Sequence, residues 1–179
     1  MPVPFRDLRN EGDLGFAGYL RFVSEEDGRG IRGALFLVNA RSEPVDFAFS
    51  RVDIPASFLW RTGEAKRHAV AGLAATLFQA CPKTPSLLLA LADEVHPRLF
   101  TEDLFVEIPL CRVAEGENVP FTADESMEAL PNAVHLFWAG QAPGQDSPGR
   151  RLLESLLAKQ LATEPFERTL RGIDEAFRE

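Results

Sequence analysis

The sequence predicts an α/β or α+β fold. It combines an antiparallel three-strand meander, a helix, two or three further strands in the same sheet, and two C-terminal helices. Three observations lead to this prediction. Apolar residues alternate with a period of two in the first third of the chain, a strongly apolar run follows the first amphipathic helical pattern, and leucine and phenylalanine recur at helical spacing near the C-terminus.

The meander is predicted from three segments of strand character. Residues 15–23 alternate in polarity, and the Asp27-Gly28 pair that follows is a strong signal for a hairpin turn. Residues 31–40 are apolar on both faces, which is typical of an inner strand. Residues 45–53 alternate again, with phenylalanine on one face, and complete the three strands.

A helix and a buried strand are predicted next. Residues 62–81 place their apolar side chains on one helical face, and Thr62 is in a suitable position to cap the N-terminus of this helix. Residues 86–92 are apolar without alternation. A strand of this kind is covered on both faces of the sheet.

The second half of the sheet is predicted from weaker patterns. Residues 104–113 alternate, and Pro109, which has no N–H, favours a strand at the edge of the sheet. Residues 114–132 are acidic and predict a loop. Residues 133–140 predict a sixth strand.

Two helices are predicted near the C-terminus, the first with Ser147 as N-cap and Pro148 at its first position. Each has an apolar face that needs a partner surface, either the protein's own sheet or another subunit. We expect an interface at these faces, formed by Leu152, Leu153, Leu156, Leu157 and Leu161 of the first helix and by Phe166, Leu170, Ile173 and Phe177 of the second.

The length of 179 residues predicts one domain over 1–179. Within it we expect a sheet-plus-helix core at 14–113, an acidic loop with a possible strand at 114–146, and a helical pair at 147–179.

The expected location is the cytoplasm, with no membrane partner. No apolar run approaches the ~20 residues needed to cross a bilayer. The first residues contain prolines and mixed charge, which does not fit a signal peptide. Cys81 and Cys111 match no metal-binding spacing, and we expect them to be reduced thiols.

The formal net charge of −8 is concentrated in residues 91–130, which contain 2 basic and 10 acidic residues. A net-negative chain without a basic stripe is poorly suited to neutralise phosphates, so the charge pattern disfavours nucleic acid as a partner. The acidic segment itself predicts either a solvated loop or a docking surface for a basic partner.

Acidic residues follow the predicted 86–92 strand directly. Asp93, Glu94 and His96 stand at its end, and Glu107 lies on the next predicted strand. This arrangement resembles that of metal-dependent restriction-type nucleases, in which a Glu-x-Lys pair follows the Asp. Pro109 stands in the position of the lysine that would stabilise the attacked phosphate.

The order of elements over residues 15–95 also resembles that of ribonuclease-H-like domains. The resemblance implies an Asp on the first strand that holds a metal together with the Asp after the buried strand. Residues 15–23 contain no carboxylate. The resemblance therefore implies a catalytically empty copy of that fold.

Other catalytic templates each lack an essential residue. His68, His96 and His135 have no second ligand at a metal-binding spacing. The chain has no Gly-x-Ser-x-Gly elbow, and the glycines of 28–33 lie between two predicted strands rather than before a helix, where a phosphate loop requires them.

Together these patterns predict a non-catalytic cytosolic protein that binds a protein partner or itself as a homo-oligomer, or is an accessory subunit, with no cofactor and no metal. Two alternatives remain open. One is a metal-dependent hydrolase or nuclease-like enzyme that uses Asp93, Glu94, His96 and Glu107. The other is a small-ligand pocket lined by the Phe-rich sheet.

Overall fold

The computed structural model describes residues 14–116 and 119–178. Its strands are β1 Ala17–Ser24, β2 Gly30–Val38, β3 Pro44–Asp53, β4 Leu87–Leu91, β5 Leu110–Glu115, β6 Glu125–Ala129 and β7 Val134–Ala139. Its α-helices are α1 Glu64–Ala80, α2 Pro148–Ala158 and α3 Glu164–Ala176. The predicted fold class is confirmed, with a sheet of seven strands. No helix in these residues has the length and apolarity needed to cross a membrane.

The sheet has the order β3-β2-β1-β4-β5-β7-β6. The first three strands form the predicted antiparallel meander, whereas β4 runs parallel to both β1 and β5. The last two strands add antiparallel pairs at the far edge. The carboxyl ends of β1, β4 and β5 therefore meet at one edge of the sheet.

Strand β4 lies at the centre of the molecule. Its residues Leu87–Leu91 are buried almost throughout, as the unbroken apolar run predicts. Helix α1 packs over one face of the sheet, and helices α2 and α3 cover the other face. Both faces of the central strands thus contribute to apolar cores.

The C-terminal helices place their apolar faces on the protein's own sheet. The side chains that lie in or against this core are Leu152, Leu153, Leu156, Leu157, Leu161 and Phe166. On α3, Ile173 is buried, Leu170 is half-buried, and the ring of Phe177 lies 5.6 Å from that of Phe49. The sheet was one of the two partner surfaces that the sequence allowed. Ser147 caps α2 as predicted, accepting a hydrogen bond from the Arg150 N–H.

The structure corrects the prediction of an edge strand at 104–113. Strand β5 begins only at Leu110 and is paired on both sides, with β4 and with β7. Pro109 comes directly before the strand, so its missing N–H removes no ladder bond, and its carbonyl accepts a hydrogen bond from the Leu88 N–H. Residues 99–103 form a π-helical turn instead of leading into a strand.

Two further boundaries differ from the prediction. Helix α1 begins at Glu64, because Gly63 precedes it in the left-handed conformation with φ of 81° and takes the capping position expected for Thr62. The expected acidic loop of 114–132 contains strand β6, whose Glu125 and Glu128 are held by arginines. The acidic composition of this segment therefore led to the prediction of a loop where the structure has a strand.

Two helical glycines provide a test of this packing. A Cβ at Gly149 in α2 would lie 2.5 Å from the carbonyl oxygen of Ser86, whereas a Cβ at Gly72 in α1 would meet no atom within 4 Å. We expect Gly149→Ala to lower the melting temperature, because the backbone clash outweighs the gain in helix propensity of about 1 kcal/mol. Gly72→Ala, the matched control, should raise it. Thermal unfolding measures both, and a rise in both variants would contradict the close approach of α2 to Ser86.

Candidate functional site

A cleft of about 370 Å³ lies at the carboxyl end of β4. Its walls come from the start of α1, the turn after β4, and the side chain of a β5 arginine. The lining residues are Gly63, Lys66, Arg67, Val70, Ala92, Asp93, Glu94, Val95, His96, Pro97, Leu99, Arg112 and Pro120. Ligands of open α/β sheets bind outside the carboxyl ends of the parallel strands, so this cleft is the candidate site.

The structure brings together three of the four acid and histidine residues singled out in the sequence. Asp93, Glu94 and His96 all line the cleft. Glu107 does not; it lies in a separate groove beside Lys83, before the starts of β4 and β5. The parallel register of β4 and β5, in which Leu88 pairs with Leu110, places Glu107 at the opposite end of these strands from the turn after β4.

The Glu94 carboxylate is fully engaged by β1. Arg21 Nε lies 2.8 and 3.0 Å from its two oxygens, and Arg21 Nη2 lies 2.7 Å from Oε1. The backbone N–H of Phe22 also donates to Glu94, at 3.0 Å. Both side chains are largely buried, with 13% and 14% of their surface exposed. Glu94 therefore fixes the turn after β4 to the neighbouring strand.

A second arginine holds the same turn from β5. Arg112 donates through Nη1 to the carbonyl oxygens of Ala92 and Val95, at 3.3 Å each. Its Nε and Nη2 form a two-point ion pair with Glu125, at 2.7 and 2.9 Å, in which each side chain is only 2% exposed. Nη2 also donates to the Pro120 carbonyl. One guanidinium thus connects β5, β6 and the backbone on both sides of Asp93.

Arg21 and Arg112 are two residues of the site that sequence reasoning missed. A signal for each was present, since each is the single basic residue of a strand that is otherwise mostly apolar. A buried charge is tolerated only with a partner, so each arginine implied a carboxylate nearby. The sequence alone does not indicate which carboxylate that is.

His96 is held as a neutral hydrogen-bond donor. Partial desolvation in the cleft, together with the positive charges of Arg67 and Arg98, lowers the pKa of His96 below its usual 6.5. Its Nδ1 accepts a hydrogen bond from the Arg98 N–H at 3.2 Å. In the neutral ring the proton must then sit on Nε2, which makes Nε2–H a donor to any ligand in the cleft.

The α1 wall of the cleft provides positive charge. Arg67 is fixed by Asp103, with Nη2 2.6 Å from Oδ1, and by Glu102; the hydrogen bond to Asp103 is the main cause of its raised pKa. Lys66, the residue before it, is exposed and lines the cleft. This lysine is therefore available to a negatively charged ligand.

The resemblances to metal-dependent nucleases imply a divalent metal, but the residues of this cleft do not fit one. Strand β1 carries no Asp or Glu, and both oxygens of Glu94 already accept hydrogen bonds from Arg21. A histidine that binds a metal through Nε2 carries its proton on Nδ1, whereas Nδ1 of His96 faces a donor, the Arg98 N–H. Within 14–116 and 119–178, no group of three His, Cys, Asp or Glu side chains could hold a metal ion.

The remaining histidines and the cysteines lie outside the cleft. His68 is exposed and stacks on Trp60 with ring centroids 4.8 Å apart. His135 is buried on β7. Both cysteines are free thiols, and burial raises the pKa of Cys111 far above its usual value, so this thiol is chemically inert.

The chain matches no protein-family model and no curated protein. Among solved structures it is similar to endonuclease V from Streptomyces avermitilis, with a TM-score of 0.61, 16% sequence identity, and coverage of 98% of this chain and 95% of that one. It also matches endonuclease V from Bacillus subtilis, with a TM-score of 0.47, 14% identity, and coverage of 79% and 70%. The first similarity shows that the two proteins share a fold.

This similarity overturns the prediction of a non-catalytic binding or assembly protein with protein or self as partner. The expectation that nucleic acid is disfavoured is wrong for the same reason. The charge argument failed for the acidic stretch 91–130, because the net charge of a segment does not show which of its acidic residues form ion pairs with arginines. Half of its ten acidic residues pair with arginines, namely Glu94, Glu102, Asp103, Glu125 and Glu128.

The buried ion pair gives the first prediction for this site. We expect Arg112→Met to lower the free energy of unfolding by about 3–5 kcal/mol, because it leaves the Glu125 carboxylate buried without a cation. Arg171→Met is the matched control, since Arg171 and Glu167 form an exposed pair worth less than about 1 kcal/mol. Urea denaturation measures both variants. Similar losses in the two would contradict the central role of Arg112.

The lowered pKa of His96 gives a second prediction, for pH dependence. The unfolded chain takes up this proton at a higher pH than the folded protein does. The stability that comes from the neutral state of His96 is fully present above about pH 6.5 and is lost as the pH falls through the lowered pKa. We expect His96→Asn to lose less unfolding free energy than the wild type between about pH 8 and about pH 5. Parallel stability curves from urea denaturation would contradict the neutral state of His96 in the folded protein.

Proposed function

We propose that the protein is a nuclease-like enzyme that acts on nucleic acid, and that the cleft at the end of β4 binds the phosphodiester chain. The observation that carries this proposal is the shared fold with Streptomyces avermitilis endonuclease V, which extends over nearly the whole length of both chains. The position of the cleft supports it, because the cleft opens at the edge where the parallel strands end.

The charges of the cleft suit a phosphate ligand. Lys66 is the exposed cation on its wall, and the start of α1, at Gly63, adds the positive end of the helix dipole. The neighbouring Arg67 contributes less, because Asp103 and Glu102 already neutralise it. Lys66 is therefore the residue that would attract the phosphodiester backbone.

Asp93 and His96 are the two side chains of the cleft to which we assign roles in hydrolysis. Asp93 is exposed and lies between the two carbonyls that Arg112 holds, so its backbone position is fixed. In the proposed reaction the Asp93 carboxylate accepts a proton from the water that attacks phosphorus, and Nε2–H of His96 donates a hydrogen bond to a phosphoryl oxygen. The bond from phosphorus to the leaving sugar oxygen breaks, and this oxygen takes a proton from solvent. Glu94 has no part in these steps, because its oxygens are bound by Arg21.

We also propose that the protein works in the cytoplasm. Both cysteines are free in the structure, as expected for a reducing compartment. The location of the tagged protein in cells tests this point.

The test of function uses labelled single-stranded and duplex DNA and RNA, and measures both cleavage and binding by the full chain. We expect cleavage products from at least one substrate, and a loss of about 100-fold in rate for Asp93→Asn with binding retained. Absence of both binding and cleavage by the wild type would contradict the proposed function.

A charge-matched pair of variants locates the binding site in the same assay. Lys66→Glu reverses the charge on the cleft wall, whereas Lys83→Glu makes the same change in the separate groove beside Glu107. We expect Lys66→Glu to weaken nucleic-acid binding about tenfold at low salt and Lys83→Glu to have little effect. Equal weakening would mean that net charge, and not the cleft, governs binding.

A further inference from the structure

The carboxylate at the end of β4 already has a cation of its own. Leu20 of β1 pairs with Ala90 of β4 in the parallel ladder, so the next residue, Arg21, reaches the turn that follows β4. Its guanidinium makes three contacts of 2.7 to 3.0 Å with the two oxygens of Glu94. The negative charge of Glu94 is therefore neutralised inside the fold.

The guanidinium is also fixed from its opposite side. Nη1 of Arg21 donates to the carbonyl oxygen of Phe166 in α3, at 3.0 Å. With one end on the turn and the other on a packed helix, the arginine cannot swing away from Glu94 without breaking both sets of bonds. Its side chain is only 13% exposed, so water would only partly replace those bonds.

Two backbone oxygen atoms of the turn are occupied too. The carbonyls of Ala92 and Val95, which flank the acidic pair, both accept hydrogen bonds from Arg112. Hard divalent cations take oxygen ligands, and Mg²⁺ in phosphate-handling sites commonly uses one or two carboxylates plus the phosphates of the substrate. Because Arg21 binds Glu94, Asp93 has no second free carboxylate with which to share a divalent ion.

We infer that Arg21 takes the place of a divalent cation at Glu94, so that no divalent ion binds this carboxylate and the cleft engages nucleic acid without one. The first part concerns Arg21 and Glu94 alone. The second part rests on the proposed function. Removal of Arg21 would leave two adjacent carboxylates without a cation, which is the donor set that a divalent ion needs.

The test compares the full-length wild type, Arg21→Met, and the double variant Arg21→Met with Glu94→Gln, by thermal unfolding across a Mn²⁺ titration. We expect no Mn²⁺-dependent rise in melting temperature for the wild type, a saturable rise for Arg21→Met, and none for the double variant. A bound ion stabilises the native state, so the shift reports binding directly.

Two results would overturn the inference. One is a saturable Mn²⁺-dependent stabilisation of the wild type that Glu94→Gln abolishes; this measurement decides the question even if Arg21→Met does not fold. The other is a folded Arg21→Met protein that gains no response to Mn²⁺.

Nucleic-acid binding by the wild type, with Mn²⁺ or with a chelator, separates the second part from the proposed function. Equal binding in both conditions supports the inference, and a strict requirement for Mn²⁺ overturns it. Absence of binding in both conditions overturns the proposed function, while the Mn²⁺ titration still decides the role of Arg21.

Discussion

The buried ion pair between Arg112 and Glu125 is the constraint on which the rest of the site depends. Neither charge can remain in the interior without the other, because the desolvation cost of a single buried ion is several kcal/mol. The pair ties β5 to β6 and leaves Nη1 of Arg112 to hold the carbonyls of Ala92 and Val95. The turn after β4, which carries the acidic residues of the cleft, is therefore positioned from the interior and not by solvent-exposed loop contacts.

The two strands that flank β4 each provide an arginine that holds the turn after β4. Arg21 from β1 binds the side chain of Glu94, and Arg112 from β5 binds the backbone around Asp93. Both are guanidinium groups, whose planar array of donors suits two-point contacts with carboxylates and stays charged at any physiological pH. The result is an acidic turn that is electrostatically balanced within the protein, with Asp93, His96 and Lys66 left to face a ligand.

The sequence predicted much of this fold because its signals were local. The meander, the first helix and the Ser147 cap depend on periodicity and turn residues that a single segment displays. The errors arose where distant residues decide the outcome. Strand β6 is polar in sequence because its Glu125 and Glu128 pair with Arg112 and Arg150, and the net charge of 91–130 concealed such pairs. The site was predictable only in part for the same reason: Asp93 and His96 follow an apolar strand, but the arginines that fix the turn carrying them come from β1 and β5.

In the proposed site, arginines rather than a divalent ion organise an acidic cleft for nucleic acid. A crystal structure of the full-length protein with a short oligonucleotide, grown with Mn²⁺ and measured for anomalous scattering, tests it most directly. We expect a phosphate in the cleft near Lys66 and His96, an intact ion pair between Arg21 and Glu94, and no anomalous peak at Glu94. A Mn²⁺ ion bound by Asp93 and Glu94 with Arg21 displaced, or an oligonucleotide bound elsewhere on the surface, would contradict it.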